Sequence, residues 1–270
     1  MKKNISLALA LLLSWGVFAQ EKETLAEIET SLGTMVVKLY NDTPRHRDNF
    51  IRLAKEGHYD GTLFYRVIKE FMIQGGSSDS RNARPGQVLG YGKEVTIPAE
   101  FRPGHYHKKG ALAAPRQPDN MNMDKDSDIS QFYIVQGKKY TATELENYIK
   151  SINVPIKRKI QEKYYYPKKP LLDSLRAAHN VPEFKRVAGK VKEQINAEWK
   201  ANTEKIEMSE QMRRDYVNYG GCPHLDGEYT VFGEVIAGFE VIDKIASLPT
   251  DKHDRPLTDV RITKVTILDE

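Results

Sequence analysis

The sequence predicts a mainly β fold with some helix: a closed antiparallel barrel capped by two helices, with a helical subdomain inserted into it. Three observations predict this. Short apolar stretches of strand length recur at 24–40, 64–76, 97–101, 110–114, 130–135, 229–235 and 260–268, separated by turn-forming residues. Two short amphipathic helical patterns, opening at Pro44 and Phe239, interrupt the strands. Residues 138–219 lose almost all glycine and become rich in Lys, Glu, Ala and Gln, a composition that favours helix over sheet.

The 270 residues allow one large domain or two smaller ones, and 40% hydrophobic content suits a packed globular core. The net charge of +4 does not point to nucleic acid. Met1–Ala19 reads as a cleavable leader: Lys2 and Lys3 precede a mostly apolar run, Ile5–Trp15, and Val17-Phe18-Ala19 fits a small-x-small cleavage site. That run is short for a membrane span, and no cysteine follows it, so a periplasmic or secreted protein without a stable membrane anchor is expected. Cys222 is the sole cysteine. It rules out an internal disulfide and is expected to be buried.

Taken in order, 24–40 reads as two strands around a turn at Ser31–Gly33. Thr43-Pro44 then opens a helix whose Phe50, Leu53 and Ala54 fall at i, i+3 and i+4, and Gly57 closes it. His46 and His58, on or near that helix, are expected at the surface. Ser77–Gly92 is a long loop whose glycines match no phosphate-binding pattern. Ile97–Phe101 and Gly110–Ala114 read as short strands. His105 and His107 lie at i, i+2 without a Cys or carboxylate neighbour, so no metal is expected there. A polar loop, 118–127, leads into the strand Ser130–Val135.

Within 138–219, Phe184, Val187, Val191, Ile195 and Trp199 mark a long helix over 181–207, and Leu145, Tyr148, Ile149 and Ile152 mark a shorter one. Pro155, Pro167, Pro170 and Pro182 punctuate the segment. It carries 18 Lys and Arg against 11 Asp and Glu, a net +7, so the basic character of the chain lies here. A solvated helical hairpin accounts for this, with an acidic protein partner, a nucleic acid or an anionic membrane surface as the functional alternatives. The barrel is expected to fold without 138–219. Tyr229–Val235, a helix over Phe239–Ala246 and a closing strand Val260–Leu268 complete it.

The most informative stretch is Phe64–Gly76, FYRVIKEFMIQGG. Strand alternation places Phe64, Arg66 and Ile68 on one face, with Tyr65 and Val67 on the other. A guanidinium among apolar neighbours either snorkels to the rim or is used for its donors. Met72 and Gln74 share a face in the second strand. This stretch resembles the active-site signature of the cyclophilin-type peptidyl-prolyl cis-trans isomerases. SQFYIVQG (Ser130–Gly137), HLDGEYTVFGEVIAG (His224–Gly238) and the strand pair around GTMVVKLY (Gly33–Tyr40) resemble the same family in the same order. The resemblance spares only the leader and the insertion.

The resemblance implies eight strands, no cofactor, no metal, and proline-containing unfolded or flexible polypeptides as ligands. It makes Arg66 the catalytic arginine. Gln74 and Gln131 would bond the peptide backbone and orient Arg66. Phe71, Met72, Tyr133 and Leu225 would form the proline pocket, with Tyr229 at its rim where the family often has His. Tyr133 stands where Phe is usual, so its hydroxyl needs a partner. His224 stands where many members have Trp, which implies weak cyclosporin binding. Ala114-Pro115-Arg116 replaces the usual Met-Ala-Asn or Met-Ala-Arg, and Pro115 removes an N–H from the edge strand that would pair with substrate. Two functions follow from these residues: an isomerase for exported chains, or a peptide-binding chaperone scaffold whose recognition lies in the insertion.

Overall fold

The computed structural model describes residues 22–92 and 95–268; the expected leader, 1–19, lies outside them. Strands β1 (Leu25–Thr30) and β2 (Gly33–Leu39) form a hairpin, followed by helix α1 (Pro44–Lys55) and the hairpin of β3 (Phe64–Ile68) and β4 (Met72–Gly75). A two-residue strand β5 (Thr96–Ile97), then β6 (Ala111–Ala113), a two-residue β7 (Ser127–Asp128) and β8 (Phe132–Val135) precede the insertion. The expected strand over 97–101 shrinks to β5, which among the described residues pairs with β7 and lies outside the main sheet.

The insertion holds α2 (Ala142–Ile152), α3 (Val154–Tyr164), α4 (Lys169–Ala177), α5 (Val181–Ala201) and α6 (Glu210–Asn218). Strand β9 (Val231–Ala237), helix α7 (Phe239–Ala246) and β10 (Ile262–Leu268) end the chain.

Eight strands form one antiparallel sheet in the order β10-β1-β2-β9-β6-β8-β4-β3. The sheet is an open, strongly curled half-barrel, which corrects the closed barrel expected from the sequence. Among the described residues β3 and β10 share no ladder. A single bridge, Leu63 to Arg261, and backbone bonds such as Phe64 N–H to Val260 O (2.9 Å) join the edges. Closure stops because Val67 N–H donates instead to Asp254 O (2.7 Å), so the 251–259 loop occupies the position a further strand would need.

The inner face of the sheet is apolar, and so is the outer face over β4, β6 and β8, whereas β1 and β2 carry Glu27, Glu29, Thr34 and Lys38 outward. Ile28, Met35, Val37, Leu39, Phe64, Val67, Ile73, Leu112, Phe132 and Ile134 point into the curl, where Phe50 and Leu53 of α1 and Val241, Ile242 and Ile245 of α7 fill it. Met72, Ala111, Ala113, Tyr133 and Val135 point outward and are covered by Cys222, Leu225 and Tyr229. The predicted sharing of a face by Phe64 and Arg66 fails. Phe64 pairs with Gly75 and Arg66 with Gln74, leaving Tyr65 as the extra residue of a bulge. Phe64 and Val67 therefore face the core, and Tyr65 and Arg66 both turn outward.

Helix α1 begins as predicted with Pro44 in its first turn, but Thr43 makes no side-chain cap. Glu100 caps it instead, accepting from the N–H groups of Arg45 (3.3 Å) and His46 (3.0 Å), where the helix dipole favours an anion. His46 is not a surface residue: it is 2% exposed, its Nδ1 2.7 Å from Glu100 Oε2. His58 is half-buried and its Nε2 lies 2.9 Å from Ser130 O.

The insertion is built in two parts. Leu145 of α2, Met208 just before α6 and Tyr216 of α6 form a core with Tyr106 and Tyr140, against the half-barrel. Helices α3 and α4 pack on α5, and each of the three carries Pro in its first turn, where its missing N–H is no loss. The predicted helix over 181–207 ends at Ala201. The two chain passages meet at Asn153, whose Nδ2 donates to Ile206 O and whose Oδ1 accepts from Ile206 N–H, both at 2.9 Å. The neck thus divides 138–219 into a part packed on the half-barrel and a part beyond it.

Two predictions follow from these contacts. Replacing 154–205 by a short Gly/Ser linker across the neck should preserve the near-ultraviolet circular dichroism and lower Tm only slightly, whereas removing 138–219 should lower Tm much further because it exposes Tyr106 and Cys222. Equal losses would mean the outer helices are integral to the core. Second, burial holds the His46 imidazole below its ordinary value of 6.5 despite the opposing pull of Glu100. The unfolded chain protonates near 6.5 and the folded chain only at lower pH, so this contribution is complete above pH 6.5 and is lost as pH falls. Urea midpoints should drop between about pH 7.5 and about pH 5.5, and His46→Gln should flatten that drop.

Candidate active site

A cavity of about 320 Å³ opens on the outer face of the sheet, lined by Arg66 and Tyr65 of β3, Phe71, Met72 and Gln74 around β4, Tyr133 of β8, Pro115 and Arg116 beyond β6, Leu225, Tyr229, and Leu89–Tyr91. The hairpin that supplies Arg66 and Gln74 turns tightly through Glu70, which adopts φ 61°. Its corner is pinned because Phe71 O accepts from the N–H groups of Gln136 (3.0 Å) and Gly137 (2.9 Å). Met72 and Tyr133 are buried as floor, while Phe71 is half-buried at the side.

Arg66 keeps 41% of its side chain exposed, with Nη1 3.5 Å from Gln74 Oε1 and Nε 3.5 Å from Asp254 Oδ2. Contacts this long and exposed contribute little to stability, and they leave the guanidinium free to engage a ligand. Gln74 is held from behind: its Nε2 donates to the Tyr65 hydroxyl (2.6 Å) and to Gln131 Oε1 (3.4 Å), and the Tyr65 hydroxyl in turn donates to Gln131 Oε1.

Gln131 is buried and does not line the cavity. Its Nε2 donates to Asp128 Oδ2 (3.0 Å) and Gly90 O (3.3 Å), so it supports Gln74 and Tyr65 and has no amide left for a substrate backbone. His224 also lies outside the cavity, exposed, and stacks on the outer side of Phe71 with centroids 5.6 Å apart.

Arg116 reaches the cavity but its donors are occupied. Nε donates to Glu228 O (2.7 Å), Nη2 to Glu228 Oε2 (3.1 Å) and Nη1 to Gln117 O (3.0 Å), and Nη1 also pairs with Asp119 (2.6 Å). The guanidinium lies over the Tyr229 ring at 4.7 Å, a cation–π contact that fixes this wall. Strand β6 is no edge strand, since β8 and β9 pair on either side. Pro115 stands past its end, its carbonyl accepting from Asp128 N–H (2.8 Å). The predicted need of the Tyr133 hydroxyl is met by His107, with Nε2 at 2.9 Å.

Several residues here were not foreseen. Asp254 beside Arg66 sits on a loop whose position nothing local announces. Tyr65 was assigned to the opposite face because alternation does not register a bulge. Buried Arg255 clamps Asp259 bidentately (2.8 and 2.9 Å) and donates to Arg84 O (2.8 Å), tying down the loop that carries Leu89–Tyr91. His105 pairs with Asp42 (2.6 Å) and stacks on Tyr40. Cys222 is buried, and its thiol is pushed up to about 12 by desolvation and by Asp226.

A second cleft of about 350 Å³ lies across Tyr229, between α2, α6 and Phe101–Tyr106. Its arginine, Arg102, already donates to Asp42 O (2.7 Å) and Phe101 O (3.1 Å), so an available cation distinguishes the smaller cavity.

The curled eight-stranded antiparallel sheet thus carries on its outer face an apolar hollow with the part-exposed Arg66 at its wall. The chain belongs to the cyclophilin type peptidyl-prolyl cis-trans isomerase family, whose model matches residues 25–152 and 200–267. The unmatched stretch begins at the Asn153 neck. A protein of Streptococcus pyogenes named for both a phosphatase and a peptidyl-prolyl cis-trans isomerase is 31% identical over 245 residues, which is 90% of this chain and 38% of that longer protein. A protein of Staphylococcus haemolyticus, named for the isomerase alone, is 27% identical over 252 residues, 93% of this chain and 94% of its own.

Among solved structures, a cyclophilin of Cryptosporidium parvum superposes with a TM-score of 0.54 at 19% identity, covering 92% of this chain and 99% of that one. A second crystal structure of it, determined in the presence of the dipeptide Ala-Pro, superposes with a TM-score of 0.52 at 20% identity, covering 91% and 99%.

Removing the Tyr65 hydroxyl tests the support behind Gln74. Tyr65→Phe leaves Gln74 and Gln131 each short of a partner, so unfolding free energy should fall by about 1–3 kcal/mol. Turnover of a proline peptide should fall several-fold, whereas His224→Ala, outside the cavity, should change it less. Chemical denaturation and a proline-isomerisation assay check both.

Proposed function

We propose that Arg66 drives the isomerase reaction by stabilising the twisted X–Pro amide of a peptide whose proline ring sits on Met72, Tyr133, Leu225 and Phe71. Unaided, the amide isomerises over roughly tens to hundreds of seconds, against a barrier of about 20 kcal/mol set by lost conjugation. No bond to the backbone breaks, so the residues needed are those that hold and polarise. As the amide twists, the prolyl nitrogen becomes pyramidal and its lone pair localises. A donor aimed there binds the twisted amide better than the planar one, and that difference is catalysis.

Arg66 suits the task because it stays protonated at any working pH. The single observation that carries this reading is the disposition of its guanidinium: at the cavity wall, part-exposed, and held among the described residues by two long contacts, to Gln74 and Asp254. Gln74 orients it. Arg116, Pro115 and Tyr229 shape the far wall. One preorganised donor is worth about 2.7–4 kcal/mol, or a factor of roughly 10²–10³.

The Ala-Pro dipeptide in the crystals of the structural relative supports a proline-containing peptide as ligand here. Unfolded or flexible exported polypeptides are the expected clients, on the strength of the leader-like residues 1–19, and a periplasmic or secreted location goes with them.

A protease-coupled assay on an Ala-Pro-containing tetrapeptide tests the reading. Arg66→Ala should lower kcat/KM at least tenfold and as far as roughly 10³-fold, with the fold intact. Arg66→Lys should recover little, since a point charge on a flexible stem does not replace a fixed fork. Peptide binding without acceleration by the wild type would instead support a chaperone scaffold.

A further inference from the structure

The floor of the cavity is connected to the insertion by an unbroken line of side-chain hydrogen bonds that runs through the half-buried Asp226. Tyr216, on α6, is 0% exposed and its hydroxyl donates to Asp226 Oδ2 at 2.6 Å. The other carboxylate oxygen, Oδ1, accepts from the backbone N–H of His107 (2.8 Å) and faces its Nδ1 (3.0 Å). With a carboxylate at Nδ1, that nitrogen carries the proton, and Nε2 is left as an acceptor. The group opposite Nε2, at 2.9 Å, is the hydroxyl of Tyr133. The His107 and Tyr133 rings are nearly parallel, 12° apart, and Tyr229 packs edge-on against both.

The anchor at the far end is itself hydrogen-bonded and closely packed. Asp215, beside Tyr216 on α6, accepts from the Tyr106 hydroxyl and from Gln211 Nε2 (2.9 Å). The two ends of the insertion cross within touching distance at Gly137 and Gly221: a Cβ on Gly137 would lie 2.2 Å from Gly221 Cα, and one on Gly221 would lie 2.5 Å from the Tyr216 ring. Backbone bonds from Gly221 N–H to Lys138 O (3.0 Å) and from Cys222 N–H to His107 O (2.8 Å) lock the crossing.

We propose that His107 and Tyr216 are positioning residues for the proline pocket, and that helix α6 of the insertion thereby fixes the orientation of the Tyr133 ring on which the substrate proline rests. This rests on the isomerase reading above. Neither residue touches the substrate; both act through Tyr133. A floor contacts the proline equally in planar and twisted states, so loosening it weakens binding without changing the chemical step, which appears in KM and not in kcat.

The test uses the full-length chain, an Ala-Pro-containing tetrapeptide, and Tyr216→Phe, which removes one oxygen and keeps the packed ring. KM should rise about three- to tenfold, the factor one buried hydrogen bond is worth, with kcat within about twofold. In a Tyr133→Phe background the same substitution should leave KM where Tyr133→Phe alone has put it, because the line then ends before the pocket. A purely structural role for Tyr216 would lower Tm without this dependence on Tyr133.

The ring nitrogen signals of His107, read by NMR in the absence of peptide, give a second measurement and should shift in Tyr216→Phe. If the wild type shows no turnover, the isomerase reading has failed, and the peptide Kd takes the place of KM. If the wild type turns over and Tyr216→Phe leaves KM unchanged, or the two substitutions raise KM additively, the positioning role is overturned.

Discussion

Everything at the site depends on one extra residue in β3. The bulge at Tyr65 breaks strict alternation, so that Phe64 and Val67 both bury themselves inside the curl while Tyr65 and Arg66 both turn to the outer face. Without it, Arg66 could face the cavity only if Tyr65 faced the core, and Gln74 would lose the hydroxyl that holds its amide. The bulge lets one strand contribute a cation and the group that steadies the cation's neighbour. Its register is held by the hairpin with β4 on one side and by Asp254, through Val67 N–H, on the other.

Where the sheet is apolar on both faces, over β4, β6 and β8, it has to be covered twice. The inner face is covered by α1, which packs on β9 and β10, and by α7, which packs on β2, β3 and β4, so each helix covers strands remote from it in sequence. The outer face is covered by the 222–229 segment, the Leu89–Tyr91 loop and, beyond them, the inner part of the insertion. Polar groups buried by that second layer are matched in pairs: Arg116 with Glu228, Arg255 with Asp259, Asp226 with Tyr216 and His107. Each pair removes the penalty of a lone buried charge or hydroxyl, and each also locates one wall of the cavity.

Much of this was legible in the sequence, and the reasons for the rest are physical. The strands around Val37, Phe64, Ile73 and Ile134 and the helices at Phe50 and Ile242 follow from local periodicity. Arg66, Phe71, Met72, Gln74, Tyr133, Leu225 and Tyr229 were expected together, and the cavity gathers them. What periodicity does not register is an unpaired residue, so the faces of Tyr65 and Phe64 were exchanged. Contacts remote in sequence left no local mark either. Glu100 reaches His46 across the chain and turns an apparent surface histidine into a buried one. His107, considered only as a metal ligand, pairs with Asp226 and Tyr133 instead. Gln131 retreated behind the cavity because Asp128, three residues away, holds its amide. The closed barrel became a half-barrel because the loop at Asp254 holds the backbone of β3.

The paired amide bonds between Asn153 and Ile206 have a consequence for how this chain can vary. They make one side chain imitate a rung of backbone ladder, so the two strands of chain leave and return at a fixed separation whatever lies between them. Lengthening a connection whose ends are already clamped adds closure entropy only logarithmically. The outer helices therefore hang from a joint that transmits little strain inward, and lengths or charges there can drift while the hollow keeps its shape.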